Sequence, residues 1–563
     1  MLLSMYSDIS TEFNSDLLIN NLESSGLTNK NFPDLSAYPI LNTLSVKQKQ
    51  GNYHFFTFHR SHPVYAGTTA GLSPKEQDDL LSLLPKLDDY VTLIVLGMGL
   101  GDHVDFIISK TRAKVVVLEK NPAFVKMALS RFQWQNYFRD EKLTVLDPLY
   151  YINKSLITAS SLQLLNHPLT GKCFFDVAHI VNNPKNAQSI DLLMDGKLMI
   201  DDWYTTLVDS GRMTYIYPPN YYSVSKIKND FQSRNIRKIW SINRISGLKN
   251  LAEELHLPYS IYEIDPDLSQ IPAFQKKNKC TILFSYRKPN AGKYSANGWN
   301  SVYLPLATNE KRFNVQPQSK YQARLSFVGS SMLANADRIK KQLLKLCNKE
   351  QQNVITTFWQ DQATNPETFK VPEYQDQISS VFPNTELQSE QGPMSLLKSL
   401  AEWSGACHRI HMVRQAARFG IDVWGEENWK LIADKTPGMN YRGRAAHLNE
   451  VPRIYASSYI NLDVTRIYQP DVATLRLFDV FAAGSLVVSN IEGENGELYP
   501  DPRLLTYIDS TSLINTIEDI LSWSEQKYND YVNAMHSYTL AHHTFSNRLK
   551  SMLDHRENVN GGI

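Results

Sequence analysis

With 563 residues the chain is too long for one hydrophobic core, so roughly two to four domains are expected. Its 42% hydrophobic, 20% charged and 11% aromatic residues are globular values, and a formal charge of +1 gives no global reason to expect nucleic acid or an anionic membrane as partner. Cys173, Cys280, Cys347 and Cys407 show no C-x-x-C spacing and no nearby His pair, so neither a zinc knot nor a disulfide framework is predicted, and a cytoplasmic location is the expectation. The start, "MLLSMYSDISTEFNSD", lacks the basic n-region of a secretory signal, and no apolar run approaches bilayer length, so no integral membrane contact is expected.

In chain order, residues 1–90 mix short apolar pieces with Asn, Ser, Pro and Gly and read as an irregular cap, ending in a helix after Ser73-Pro74. From Val91 come an apolar run (91–97), a glycine turn, an amphipathic segment (103–110), "KVVVLE" (114–119), Asn-Pro, a helical segment and "LTVLD" (143–147). Strand and helix alternate, which predicts a parallel sheet and an α/β fold. The alternation continues with strands over 174–183, 212–220, 236–243, 259–265, 280–286 and 301–307, and the polar stretch 309–324 reads as a linker. A fresh series follows: 325–331, a helix over 335–348, then 421–426, 458–464, 485–490 and a helix from about 511. Far more chain separates the first two of those strands than one crossover helix needs, so the Pro- and Gln-rich piece 364–393 is predicted to be an insertion. The expected divisions are 1–90, 91–190, 191–310, 311–540 with an insertion at about 350–395, and a tail 541–563, with no internal repeat.

The turn Gly97-Met98-Gly99-Leu100-Gly101 follows an apolar strand and opens a helix, and Glu119 closes the next strand. Amides at such a helix start can hold an anion, and the acid can bond a ribose. The spacing suits a methyltransferase-type turn better than a dinucleotide one, although Val95 stands where methyltransferases usually carry an acid. The alternative is a tight turn whose glycines serve packing alone. Asp176, in "FFDVAHIVNN", could bring a carboxylate to the same sheet edge or end an ordinary strand. "IVNNP" does not match the Asn-Pro-Pro-aromatic signature of amino methylation.

The later series "LSFVGSS", "IDVWGEENW", "VPRIYASSYINLDVTR" and "TLRLFDVFAAGSLVVSN" closes each strand on small or polar residues, where ligands of open parallel sheets sit. With "SVYLPLATNEKRF" before it, the order resembles the spore maturation protein CgeB-like glycosyltransferases of the GT-B superfamily, over roughly residues 259–500. The resemblance implies a GT-B-like pair of Rossmann-type parallel sheets plus an N-terminal Rossmann-like region. Residues 191–310 would form the acceptor-side half and 311–540 the nucleotide-sugar half. In the relatives "LRLFDVFAAG" usually carries Glu where Asp479 stands, and that acid is taken to bind the donor ribose. By the same resemblance Arg476 lies near the diphosphate, Gly329 and Ser330 form the phosphate turn, Gly425, Tyr455 and Asn461 flank the base or sugar, and Gly484 closes the motif. Asp265, in "YEIDPD", resembles the acidic position of the acceptor-side half and is the candidate catalytic group, with a solvated loop acid as the alternative reading. A structural ion pair between Arg476 and Asp479 at a helix start is the alternative to ligand binding.

The front half, "IVLGMGLGDHV" with "VVVLEKNP", resembles the glycine turn of motility accessory factor proteins, which are linked to flagellin glycosylation. The combined expectation is a bacterial-type enzyme that moves a sugar from a nucleotide-sugar donor to a protein or surface-glycan acceptor. No D-x-D motif sits at a strand end, so no metal is expected. S-adenosylmethionine at Gly97–Gly101 and a non-catalytic scaffold with degenerate nucleotide sites are the alternatives.

Overall fold

The computed structural model describes residues 14–25, 27, 32, 35, 38, 44–49, 52–59, 62–83, 92–153, 162–184, 189–196, 199–221, 224–232, 236–265, 280–382, 396–493, 495–501 and 503–560. Val91, the later part of the predicted insertion and the last residues of the predicted tail lie outside them. The described residues up to Tyr262, with Cys280–Ile282, form one compact unit, and Glu263–Asp265 with Leu283 onward form a second.

The strands are β1 (Ser45–Lys49), β2 (Asn52–His59), β3 (His62–Thr68), β4 (Thr92–Leu96), β5 (Lys114–Leu118), β6 (Leu143–Leu146), β7 (Leu162–Asn166), β8 (Ile190–Met194), β9 (Met213–Tyr217), β10 (Ile236–Ile242) and β11 (Tyr259–Glu263). They continue with β12 (Thr281–Ser285), β13 (Ser301–Tyr303), β14 (Ala323–Val328), β15 (Ile421–Trp424), β16 (Met439–Gly443), β17 (Ser458–Asp463), β18 (Leu486–Ser489) and β19 (Leu505–Thr506). Four sheets result, with orders β1-β2-β3, β6-β5-β4-β7, β13-β12-β11-β10-β8-β9 and β16-β15-β14-β17-β18-β19. The first is antiparallel, so the stretch read as an irregular cap holds a small meander. In the four-stranded sheet and the C-terminal six-stranded sheet every neighbouring pair is parallel. Strands such as "TLIVL" and "LVVS" are apolar on both faces and buried, which is what a parallel sheet covered by helices requires.

Three expectations change. Residues 175–182 are a helix, Phe175–Asn182, whose apolar Val177, Ile180 and Val181 recur at helical spacing and are buried together with Asp176. The stretch read as a linker contains a helix, Glu310–Phe313, capped by the Asn309 side chain, and β14 already begins at Ala323. The second strand of the 280–307 region, β13, stops at Tyr303 rather than Ala307. Between β14 and β15 run helices Leu333–Leu346, Lys349–Thr364, Gln375–Val381 and Leu396–Ala416. They bury a core of their own around Ile355, Phe358, Trp359 and Leu400, while Met412 and Val413 pack on the sheet with Phe327, Val423 and Leu462.

Candidate functional site

Ligands of doubly wound sheets sit outside the carboxyl ends of the strands, in the crevice where the strand order reverses. The four-stranded sheet reverses between β4 and β7, and the C-terminal sheet between β14 and β17. The two crevices differ in the side chains that line them.

In the first, the glycine turn packs against its own side chains, and a cavity lined by Glu119, Lys120, Asn121, Thr170 and Tyr221 lies beside it; among the described residues His103 Nε2, His167 Nε2 and Thr170 Oγ1 are buried there without a hydrogen-bond partner. Gly97, Gly99 and Gly101 all have left-handed φ, of 96°, 54° and 95°. A Cβ on Gly97 would stand 2.5 Å from Thr170 Oγ1, one on Gly99 2.7 Å from the His167 ring, and one on Gly101 2.9 Å from Ala128 and Phe132. Close packing therefore accounts for all three glycines. Glu119 closes onto the turn: its carboxylate accepts the amides of Met98 and Asn121, each at 2.8 Å. Burial pushes its pKa up to about 7 against the pull of those amides. The His103 and His167 rings meet edge to face at 4.4 Å, and burial holds both below the ordinary imidazole range. Asp176 lies fully buried on the helix and holds Lys120 Nζ at 2.6 and 2.7 Å, so it serves an interior ion pair rather than a sheet edge.

The second crevice gathers unpaired donors. Asp463 ends β17 fully buried and accepts from Arg476 Nη1, from Thr474 Oγ1 at 3.0 Å and from Ser489 Oγ at 2.8 Å. Arg476, at the second position of helix Leu475–Ala482, also donates to the Val328 carbonyl at 2.7 and 3.1 Å and lies over the Phe327 ring at 5.0 Å. Arg409 comes from helix Leu396–Ala416 and reaches the carbonyls of Ser330 and Val464, each at 3.0 Å. Burial, then the neighbouring guanidinium groups of Arg476 and Arg466, push its pKa down to about 10. Among the described residues Arg409 Nε, Arg466 Nε, Thr465 Oγ1 and Gln469 Nε2 are buried without a hydrogen-bond partner. Each such group costs about 1–3 kcal/mol unless something accepts from it. Among the described residues Asp463 is the one carboxylate that hydrogen-bonds these guanidinium groups, with Glu426 and Glu402 nearby on Ser331 and Tyr468.

Of the residues singled out in the sequence, Gly329, Ser330, Gly425, Tyr455 and Arg476 come together here. A Cβ on Gly329 would meet Arg476 Nη2 at 2.9 Å, and one on Gly425 would meet the Gly329 carbonyl at 2.3 Å. These two glycines therefore let the turns after β14 and β15 touch. Their amides are not a vacant cradle, however: Gly329 donates to Trp424, Ser331 to Glu426 at 2.7 Å and Met332 to Ser330 Oγ at 2.9 Å. Positive charge comes instead from Arg409, on the long helix far from the motifs in sequence, and from Arg466, which closes "VPRIYASSYINLDVTR" and to which the sequence assigns no role. Tyr455 hydrogen-bonds Arg476, and burial pushes its phenol up to about 12.

Other expected residues do not join the group. Asn461 sits inside β17, accepting from Ser326 Oγ at 2.8 Å and donating to Ser485 Oγ at 2.9 Å, so it ties strands together. Gly484, with φ of 70°, ends helix Leu475–Ala482. It lines a depression with Ala323 and Ser458 at the amino ends of β14 and β17. Asp265 is an exposed bend after β11. Asp479 does not pair with Arg476: it lies in the second turn of the helix, 8% exposed, and accepts from Thr308 Oγ1 at 2.8 Å. Among the described residues no group of three or more His, Cys, Asp or Glu is placed to hold a metal ion, and no helix is long and apolar enough to cross a membrane.

Residues 408–554 match the family model described as Glycosyl transferase-like. No curated protein sequence matches the chain. Solved structures similar to it include T4 phage BGT in complex with its UDP-glucose substrate, at 9% identity over 66% of this chain and 99% of that one, with a TM-score of 0.35. A UDP-forming α,α-trehalose-phosphate synthase from Burkholderia xenovorans is 9% identical over 84% of this chain and 99% of that one, with a TM-score of 0.34. The N-terminal domain of Candida albicans trehalose-6-phosphate phosphatase is 9% identical over 83% and 96%, with a TM-score of 0.33.

Proposed function

We propose that the chain is a GT-B-type glycosyltransferase of the CgeB-like kind that uses a nucleotide-sugar donor, with the diphosphate of the donor held at the carboxyl ends of β14 and β17. The observation that carries this reading is the cluster of Arg409, Arg466 and Arg476 with its unpaired buried donors. A diphosphate diester carries two negative charges and several acceptor oxygens, which is what the cluster lacks. As the bond between the anomeric carbon and the leaving oxygen breaks, negative charge grows on the diphosphate. Fixed guanidinium groups in a buried site stabilise that charge without a metal ion. The Asp463 carboxylate keeps Arg476 in place, so the three cations need not spread apart before substrate arrives.

On this reading Asp479 would meet the donor ribose while Thr308 holds one of its oxygens, and Asp265 would take the proton of a protein or glycan hydroxyl. The family-model match over residues 408–554 supports glycosyl transfer, because it contains Arg409, Arg466, Arg476 and Asp479. The test is release of nucleoside diphosphate from a panel of uridine, guanosine and thymidine diphosphate sugars. At least one should be turned over, and Arg466→Ala should lower kcat/KM by about 10- to 100-fold, the loss of one charge-assisted bond. Absence of turnover across the panel, with no binding of any nucleoside diphosphate, would remove the proposal.

A further inference from the structure

The loop that carries Thr465, Arg466 and Gln469 is anchored by a hydrogen-bonded chain whose polarity the chemistry of its members fixes. His408 Nδ1 faces the Pro366 carbonyl at 3.1 Å, and a carbonyl only accepts, so that nitrogen carries the proton. His408 Nε2 is then an acceptor, and the Asn490 amide group donates to it at 3.2 Å. With its amide group so placed, Asn490 Oδ1 accepts the Thr465 amide at 2.6 Å. No member of the chain can be reversed without setting two donors or two acceptors face to face.

The far end is equally fixed. Pro366 lies in a turn that follows helix Lys349–Thr364, and Gln362 Nε2 donates to the carbonyls of Asn365 and Thr368 at 3.1 and 2.8 Å. Next to Pro366, the Glu367 carboxylate meets His411 at 2.6 Å and hydrogen-bonds Ser510. His408 is 3% exposed, and burial holds its pKa down to about 4, with Arg409 and His411 adding to the effect and Glu367 opposing it. The ring is therefore neutral over the working range, as the chain requires.

We propose that His408 is a positioning residue: it transmits the placement of the helical excursion between β14 and β15 to the Thr465–Arg466 turn through Asn490, and so sets the anion site. The inference rests on the reading of that site as the diphosphate pocket. It also gives the excursion a role, since without the Pro366 carbonyl the ring would lose its orientation.

The test uses the full chain with two substitutions. His408→Phe keeps a ring but removes both hydrogen bonds, and His408→Gln restores an acceptor near the place of Nε2. Hydrogen exchange of the peptide holding Thr465 should speed at least tenfold in His408→Phe and stay within a few-fold of wild type in His408→Gln. The Kd for uridine diphosphate, measured by calorimetry, should rise about tenfold in the first and less than threefold in the second. Slow exchange at Thr465 in folded His408→Phe would overturn the proposal whatever the ligand does. If His408→Phe does not fold, Asn490→Asp decides instead: the new carboxyl and the ring Nε2 must share one proton, so either the ring's or the carboxyl's NMR titration should move upward, and a variant in which neither moves overturns the chain. A wild-type protein that binds no nucleoside diphosphate would sink the functional reading, while exchange at Thr465 still decides the positioning role.

Discussion

Arg476 is bound to Asp463 at the end of β17 and not to Asp479 one turn along its own helix. The distinction separates two jobs that the sequence had placed side by side. Asp463 holds a cation at the mouth of the crevice, and Asp479 is satisfied by a threonine from the segment after β13.

The first prediction follows for Asp463. Its side chain is fully buried among three hydrogen-bond donors, so Asp463→Ala leaves Arg476 buried without its partner carboxylate. Stability should fall by about 3–5 kcal/mol, the usual cost of breaking a buried pair from one side. Urea unfolding measures it, and a loss below about 1 kcal/mol would show that Arg476 is held elsewhere.

A second prediction concerns Asp479. In an Asp479→Asn variant the new side-chain carbonyl still accepts from Thr308, so the melting temperature should barely move. If the carboxylate meets the donor ribose, donor affinity should drop by about 1.5–3 kcal/mol. Asp479→Glu should retain binding. Unchanged donor affinity in Asp479→Asn, measured by titration with the turned-over nucleotide sugar, would exclude the ribose contact.

The glycine turn gives a prediction of opposite character. Gly99→Val would place Cβ 2.7 Å from the His167 ring at a φ of 54°, so strain and overlap act together. A cost of about 3 kcal/mol or more is expected. The first unit should lose its thermal transition, and S-adenosylmethionine should leave the wild-type transition unmoved. A clear upward shift with S-adenosylmethionine would mean that the turn opens to a ligand after all.

The pH dependence of the first unit is the fourth prediction. Glu119 has its pKa raised from 4.5 to about 7, mainly by burial, so the folded state holds the proton more tightly than the unfolded chain. Its contribution is fully present below pH 4.5, is lost as pH rises to about 7 and is constant above that. The span is about 3 kcal/mol, at about 1.4 kcal/mol per pH unit. Glu119→Gln should flatten this part of the stability curve between about pH 4.5 and 7, measured by denaturant unfolding. An identical slope in both proteins would contradict the assignment.

Much of the sheet framework was legible because parallel strands such as "TLIVL", "SFV" and "LVVS" are short apolar runs followed by glycine or polar turns. The helix at 175–182 was misread since five of its first seven residues, counting from Phe174, are apolar or small; only the burial of Val177, Ile180 and Val181 reveals the helical period. At the candidate site, the glycines and Arg476 stand in local motifs and could be found by reading along the chain. Arg409 could not: it is one cation on a long helix, brought to β14 and β17 only by the fold. His408, one residue earlier, was hidden for the same reason, and its partners lie at Pro366 and Asn490.

The most direct test of the central claim is calorimetric titration of uridine, guanosine and thymidine diphosphates into the wild-type chain and into Arg409→Ala and Arg466→Ala. One nucleoside diphosphate should bind the wild type with a single site. Each alanine variant should remain folded and lose about 1.5–3 kcal/mol of affinity, and the Gly99→Ala variant, if folded, should bind as wild type. Binding that survives both arginine substitutions unchanged, or that is lost only when the glycine turn is altered, would contradict the assignment of the site to the carboxyl ends of β14 and β17.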